Sequence, residues 1–405
     1  MNRCLFTIAV SAGTAACVAE SPAEGPSRET LPNGAVLVRY PGLPAIDSVG
    51  PEITEAHVDL RIGTVDGDDP NYIFGDIRGV QAASDGTIYV LDYQAVEVRA
   101  YAPDGRFLHT VVRRGEGPGE IMEANGILLS GDSLLWIHDH GQHWAIIGVD
   151  PAGVELRRFT KPIPSYGYIW DGAFDDLGRY WRRTDHSDDK ETWDPGAGPY
   201  ESFARKYFKS FHLATGMADS VYLGETGFRG YVEERGTGAS VYGIPFVASE
   251  IDIVHPSGGF WHANTAAYRL TRTDEDADTI VVIEAAVPVL PVTAADRSSY
   301  VERGVEFMPE SRRALEAVAA LMPDFKPVLE SFFVDDEGRL WVERATPNDV
   351  PPFYDLFSED GDYLGSVRLA FEPRPSGRTS VRQGNIYTWV VDELDTPFVV
   401  RAPAS

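Results

Sequence analysis

Asn125, Asp171, Glu250 and Glu330, together with Arg78, are the side chains whose types and spacing invite chemistry. Asn125, Glu250 and Glu330 each stand eleven residues before an aromatic residue, Trp136, Trp261 and Trp341. Asp171 follows Trp170, which stands eleven before Trp181. Arg78 and Ser376 hold the same place before Tyr89 and Tyr387. One Asn, one Asp and two Glu are hard oxygen donors of the kind that hold Ca²⁺. If these positions start the inner strands of a ring, the donors meet at one mouth of its central channel, where a ligand or a metal is held. A plainer reading stands beside this one. Strand ends at a wet channel are polar in any case, and Arg78 can pair with Glu250 or Glu330.

Other clusters point to turns. His138-Asp139-His140-Gly141-Gln142-His143 is the densest group of histidines. Zinc needs three or four N, S or O donors converging tetrahedrally. In an extended chain His138 and His140 share one side while Asp139 points away. The segment matches Asp92-Tyr93-Gln94 one repeat earlier, so it reads as an exposed loop. Asp274, Asp276 and Asp278 have the alternate spacing of a calcium loop. Thr279 replaces the glycine such a loop needs at its sixth position and Ala285 the glutamate at its twelfth, which leaves a polar hairpin. The glycine-rich stretch Gly115–Glu120 is followed by no Lys-Ser/Thr and opens no helix, so it is a turn and not a phosphate cradle. Gly-x-Ser-x-Gly and His-Glu-x-x-His do not occur.

The elements that position these residues follow from a repeat. Asp85-Gly86-Thr87-Ile88-Tyr89-Val90 is one copy: a turn, a short step, then an apolar and an aromatic residue. The copies end at Tyr89, Trp136, Trp181, Trp261, Trp341 and Tyr387, at spacings of 47, 45, 80, 80 and 46 residues. Strand-turn-strand chemistry recurring at this period is the signature of a propeller blade. The expectation is an all-β, six-bladed β-propeller over residues 56–405, with an extra segment in each long interval. The first extra segment begins in a polar loop, Thr184 to Tyr200. The second is a short helical insertion between blades four and five, about 293–323. Thr293 caps it, and Leu315, Val318, Ala319 and Met322 fall on one helical face. It either packs on the side of the propeller or closes the channel as a lid. A strand at His57–Ile62 should complete the blade holding Tyr387, because closure removes exposed sheet edges.

Charge bounds the partners. The net charge is −27, from 62 acidic and 35 basic residues. Nucleic acid is excluded as a partner, because its affinity rests on cationic contacts to phosphate. Binding to an anionic membrane through a basic patch is excluded on the same ground. The two cysteines, Cys4 and Cys17, lie in the first twenty residues, so the folded part forms no disulfide. Asn2-Arg3 and the apolar stretch Leu5–Ala16 read as a signal peptide over residues 1–19. Thr14-Ala15-Ala16-Cys17 resembles a bacterial lipobox, in which Cys17 is the acylated residue. Residues 20–55 then form a linker and an N-terminal arm. The chain is expected outside the cytoplasm, in the periplasm or outer envelope, touching membrane only through this anchor. Secretion as a soluble protein is the alternative.

Arg114-Gly115-Glu116-Gly117-Pro118-Gly119-Glu120-Ile121 resembles the blade-linking Gly-x-Gly-Pro-Gly-Glu-Phe motif of bacterial six-bladed NHL-type propellers. Phe74-Gly75-Asp76-Ile77-Arg78-Gly79-Val80 and Tyr101-Ala102-Pro103-Asp104-Gly105-Arg106-Phe107 are similar to them as well. Ile121 departs from the aromatic of that motif, and the long insert after Trp181 departs from its spacing. Many such chains are exported lipoproteins, so the resemblance implies fold and compartment. By analogy of fold, propeller lactonases of the gluconolactonase type hold a metal in such a ring of oxygen donors. The expected function is a binding or interaction module without a cofactor. It takes a protein, peptide or small-molecule ligand at a propeller face. The alternative is a Ca-dependent lactonase- or lyase-like hydrolase with Asn125, Asp171, Glu250 and Glu330 as ligands. A purely structural envelope component is a third reading.

Overall fold

The computed structural model describes residues 25–404 except 143, 161–171, 187–195, 237, 348–349 and 375–377. Cys17 and the leader, Trp170, Asp171, His143 and Ser376 therefore lie outside the described residues.

Asp-Gly and related turns join short alternating strands into up-and-down meanders. In the first turn of the ring Asp85 Oδ1 accepts from Thr87 N–H at 2.8 Å, and Gly86 takes a φ of +83°. A side chain rarely adopts that backbone conformation, which is why glycine stands there. The described residues form six sheets. Sheet one starts with Ile77–Ala82 and sheet two with Ala124–Ser130. Sheets three and four start with Gly172–Phe174 and Glu250–Val254, and sheets five and six with Leu329–Val334 and Ser380–Arg382. The second strands are Ile88–Asp92, Leu134–Asp139, Arg179–His186, Phe260–Asn264, Leu340–Arg344 and Asn385–Val391. All six aromatics of the repeat sit on them. First strands of successive sheets approach one another, one to two, three to four and four to five, and sheet six returns to sheet one. The architecture is an all-β propeller, with two α-helices among the described residues.

Packing lies between the sheets. Trp136, Trp261 and Trp341 are fully buried, each flanked by the strands of a neighbour. Burial of one such ring is worth roughly 3 kcal/mol or more. Sheets one and two share a single apolar cluster that includes Leu91, Val98, Ile127, Ile137 and Ile147.

The N-terminal arm does more than link. Val36–Tyr40 adds to sheet four in parallel with Thr279–Ala285, and Ser27–Thr30 pairs outside it. Ile53–Ala56 adds to sheet five in parallel with Tyr363–Leu369. The boundary expected at residue 56 thus falls inside a strand. Leu60–Ile62 pairs antiparallel with Pro397–Pro403 as the outer strand of sheet six, the closure expected for His57–Ile62.

Both long intervals are built out. In sheet three, Gly198–His212 and Ala218–Arg235 make a hairpin longer than any other in the ring. Between sheets four and five lie α1, Ala294–Phe307, and α2, Arg312–Leu321. Thr293 and Asp296 form the expected capping box on α1. Ala314, Leu315 and Val318 of α2 pack on Tyr231 and Tyr242 of the sheet-three extension. The insertion is held at the side by that hairpin, and neither channel pocket described below is lined by α1 or α2.

Candidate functional site

Two pockets open along the channel. One, of about 740 Å³, lies where first strands turn into second strands and takes residues from all six sheets, among them Gln81, Ser130, Asp175, His255, Asp335 and Arg382. The other, of about 720 Å³, lies at the start of the first strands, between sheets five and six, with Ile253 of sheet four.

The second pocket holds a pair of carboxylates. Glu330 is the extra residue of a bulge, because Leu329 faces Arg344 and Ser331 already faces Glu343. A bulge re-aims the side chain it carries. Glu330 is exposed to the pocket, and Glu343 lies half-buried behind it. Glu343 accepts a hydrogen bond from Ser331 Oγ at 2.6 Å. Partial loss of solvent, then the Glu343 charge, push the Glu330 carboxyl above its usual range, and Lys326 opposes them. Burial pushes Glu343 up, against the Ser331 hydrogen bond. Tyr354, directly across the ladder from Glu343, is driven well above the phenol range by burial and by that carboxylate. Arg374 and Arg378 enter the same pocket from the segment leading to sheet six. Arg378 reaches across the channel to the Gly172 carbonyl, 3.3 Å away. Two carboxylates that resist ionisation in one pocket suit a cation that compensates both, or a proton transfer between them and a ligand.

The other expected residues are spread apart. Arg78 sits on a comparable bulge in sheet one. It pairs with neither glutamate: it binds Asp76 at 3.0 Å and Asn125 at 3.3 Å, and lies over the Tyr93 ring. Asn125 is buried behind it. Glu250 accepts from Asn264 at 2.7 Å and lines a separate pocket of about 210 Å³ under the long hairpin, with Phe203 and Phe228. Glu250 and Glu330 therefore face different pockets. Among the described residues no group of three or more His, Cys, Asp or Glu gathers as a metal would need. The described members of the expected calcium set do not fit the ion.

The histidine cluster departs from the exposed loop expected of it. His138 and Asp139 are buried, and Asp139 accepts from the Met122, Glu123 and Gly141 amides at 2.8–3.0 Å. Asp92 does the same work in sheet one, on Gly75, Gln94 and Ala95. Both clamp the entry of their sheet. The Asp274 turn is a polar hairpin, its Oδ1 accepting from the Asp276 and Asp278 amides. In the glycine-rich link Glu120 accepts from Gly117 N–H, and a Cβ on Gly119 would meet the Gly153 carbonyl at 2.7 Å. That is turn chemistry between sheets.

Glu343 was not visible as a candidate. Its signal is faint: two residues after the repeat aromatic, other copies place Leu91, His138, Arg183, Ala263 and Trp389. With His138 and Arg183 already polar at this place, Glu343 does not stand out in the sequence.

No family model matches the chain, and no curated protein matches it. Solved structures do. A member of the DUF4221 family from Bacteroides vulgatus is 10% identical, with a TM-score of 0.48, over 86% of this chain and 97% of that one. Virginiamycin B lyase from Staphylococcus aureus is 11% identical, with a TM-score of 0.40, over 81% and 94%. Regucalcin from Agrobacterium tumefaciens, a calcium-binding protein, is 11% identical, with a TM-score of 0.36, over 87% and 97%. At these values no activity transfers to this chain. Among the described residues no helix is long and apolar enough to cross a membrane.

Proposed function

We propose that this chain is an exported, lipid-anchored six-bladed propeller that works as a binding module. It takes a small ligand or peptide end bearing a cationic nitrogen in the pocket between sheets five and six. The observation that carries the reading is the Glu330–Glu343 pair: two carboxyls held above their usual range, facing one pocket, neither of them hydrogen-bonded to a cationic side chain among the described residues. A bound ammonium or guanidinium group offsets the cost of ionising both. Arg374 and Arg378 on the sheet-six side suit an anionic group on the same ligand. The strongly acidic composition supports the sign of the ligand by steering cations to the surface. The resemblance to exported NHL-type lipoproteins supports the compartment.

Calorimetric titration of the protein against primary amines and amino-acid esters tests this. Binding should saturate at one site, weaken as pH falls toward the carboxylate range, and drop at least tenfold in Glu330→Gln/Glu343→Gln. Amines that bind the double variant as tightly as the wild type would remove the proposal. A stoichiometric divalent ion lost in Glu330→Gln would instead favour the metal-dependent hydrolase.

A further inference from the structure

Open sheet edges associate, so a sheet shields its outermost strand with charge, proline, a bulge or a covering segment. Five of the six sheets described here end on charge. Sheet one ends on Phe107–Arg114 and Glu120–Ile121, which carry Arg113, Arg114 and Glu120. Sheet two ends on Glu155–Thr160, with Glu155, Arg157 and Arg158. The arm closes three more. Arg28 and Glu29 stand on the outermost strand of sheet four, Glu55 on that of sheet five and Arg61 on that of sheet six.

Sheet three differs. At the far end of its long hairpin the outermost strand is Gly238–Gly243, paired with Gly230–Arg235. The nearer part of that edge, residues 218–229, is charged at Asp219, Glu225 and Arg229. Gly238–Gly243 carries no charge, no proline and no bulge. The uncharged run extends over residues 236–249, in a chain of which 24% is charged.

The free side of this strand follows from its ladder. The Ile244 N–H donates to the Arg229 carbonyl, continuing the register in which Gly243 faces Gly230. Bonded pairs alternate along an antiparallel ladder. Ser240 and Tyr242 therefore bond inward to the hairpin, and Ala239, Val241 and Gly243 turn their N–H and C=O groups outward. The same three residues are exposed, Val241 by 42%. Among the described residues no strand pairs with this outer side. Their side chains are small or apolar, and the Phe228 ring, 45% exposed, lies beside Gly243, 4.0 Å from where a Cβ would stand.

We propose that Gly238–Gly243 is the contact of a two-fold dimer, in which it pairs antiparallel with the same strand of a second copy. Facing residues of an antiparallel pair point to the same side of the sheet, and neighbours along a strand point to opposite sides. The axis must therefore relate a residue to itself, not to its neighbour. Val241 is the middle of the three outward residues. An axis there sets Val241 against Val241 and Ala239 against Gly243 of the other copy, so every outward N–H meets an outward C=O. The Phe228 ring beside Gly243 then reaches Ala239 of the other copy. Two observations favour a second copy as the occupant. Each copy has a net charge of −27, so two approach closely only along a charge-free line. The outward pattern is also its own complement, as an isologous contact requires. This surface lies apart from the Glu330–Glu343 pocket and does not depend on the ligand proposed for it.

Sedimentation velocity over a concentration series tests this. The wild type should sediment as a dimer at micromolar concentration. Val241→Lys sets two like charges directly opposite each other and should weaken the dimer by about tenfold or more. Oxidised Val241→Cys should run as a covalent dimer, because a bonded antiparallel pair brings its Cα atoms to about 5.5 Å, within disulfide reach. The unsubstituted chain, oxidised alike, controls for Cys4 and Cys17. If Val241→Lys fails to fold, the cysteine variant decides alone. A wild type that stays monomeric overturns the proposal, whatever other chain takes the edge. So does a dimer that Val241→Lys leaves unchanged or that Val241→Cys does not crosslink.

Discussion

Sheet five carries two kinds of acid, and they behave differently. Asp355 is fully enclosed, accepting from Arg344 NH2 at 3.0 Å, Ser366 Oγ at 2.7 Å and Tyr268 Oη at 2.8 Å. Glu330 and Glu343 face a pocket, with one serine hydrogen bond between them among the described contacts. All three carboxyls are pushed up by desolvation. An elevated pKa therefore does not by itself mark a site. The number of partners separates a carboxylate that holds two sheets together from a pair kept ready for something else.

The largest test of this contrast is Asp355→Ala. It leaves the Arg344 guanidinium buried without its carboxylate and should cost about 3–5 kcal/mol in chemical denaturation. A loss no greater than that of a surface substitution would erase the distinction. Tyr268→Phe removes one hydroxyl from Asp355 and should cost about 1–2 kcal/mol. The smallest effect belongs to Glu330→Gln/Glu343→Gln, whose stability at neutral pH should lie within about 0.5 kcal/mol of the wild type while ligand binding is lost. The sign with pH sharpens it. A carboxyl raised in the folded state lends stability below its unfolded pKa and loses it as pH rises through the folded value. The double variant should therefore gain on the wild type as pH rises above the ordinary glutamate range. A difference that is flat with pH would mean that the fold does not raise the pair.

What could be read from the chain follows from what repeats. The six aromatics are set by packing between sheets, which imposes one residue type at one interval, and all six lie on second strands. Closure by the segment before Leu60 was legible because an open ring leaves an unpaired edge. The arm strands Val36–Tyr40 and Ile53–Ala56 were not, because a strand added to an outer edge needs only main-chain partners and leaves no period in the side chains. The spacing picked out Arg78 and Glu330 as strand starts, and the structure puts both on bulges, but a position along a strand does not say toward which pocket a side chain turns. Glu250 turns to the long hairpin, a feature without counterpart in the other repeats.

The arm also sets the order in which the molecule can finish folding. Val36 pairs with Val281, Thr54 with Val367 and Leu60 with Arg401. These arm strands wait for partners made 245, 313 and 341 residues later. Such distant pairings slow folding, because a long loop must close before any contact rewards it. Sheets one to three contain their own strands and can form on the way. Sheets four to six stay open on one edge until the arm pairs with them, and the last of them cannot close before Pro397–Pro403 is made.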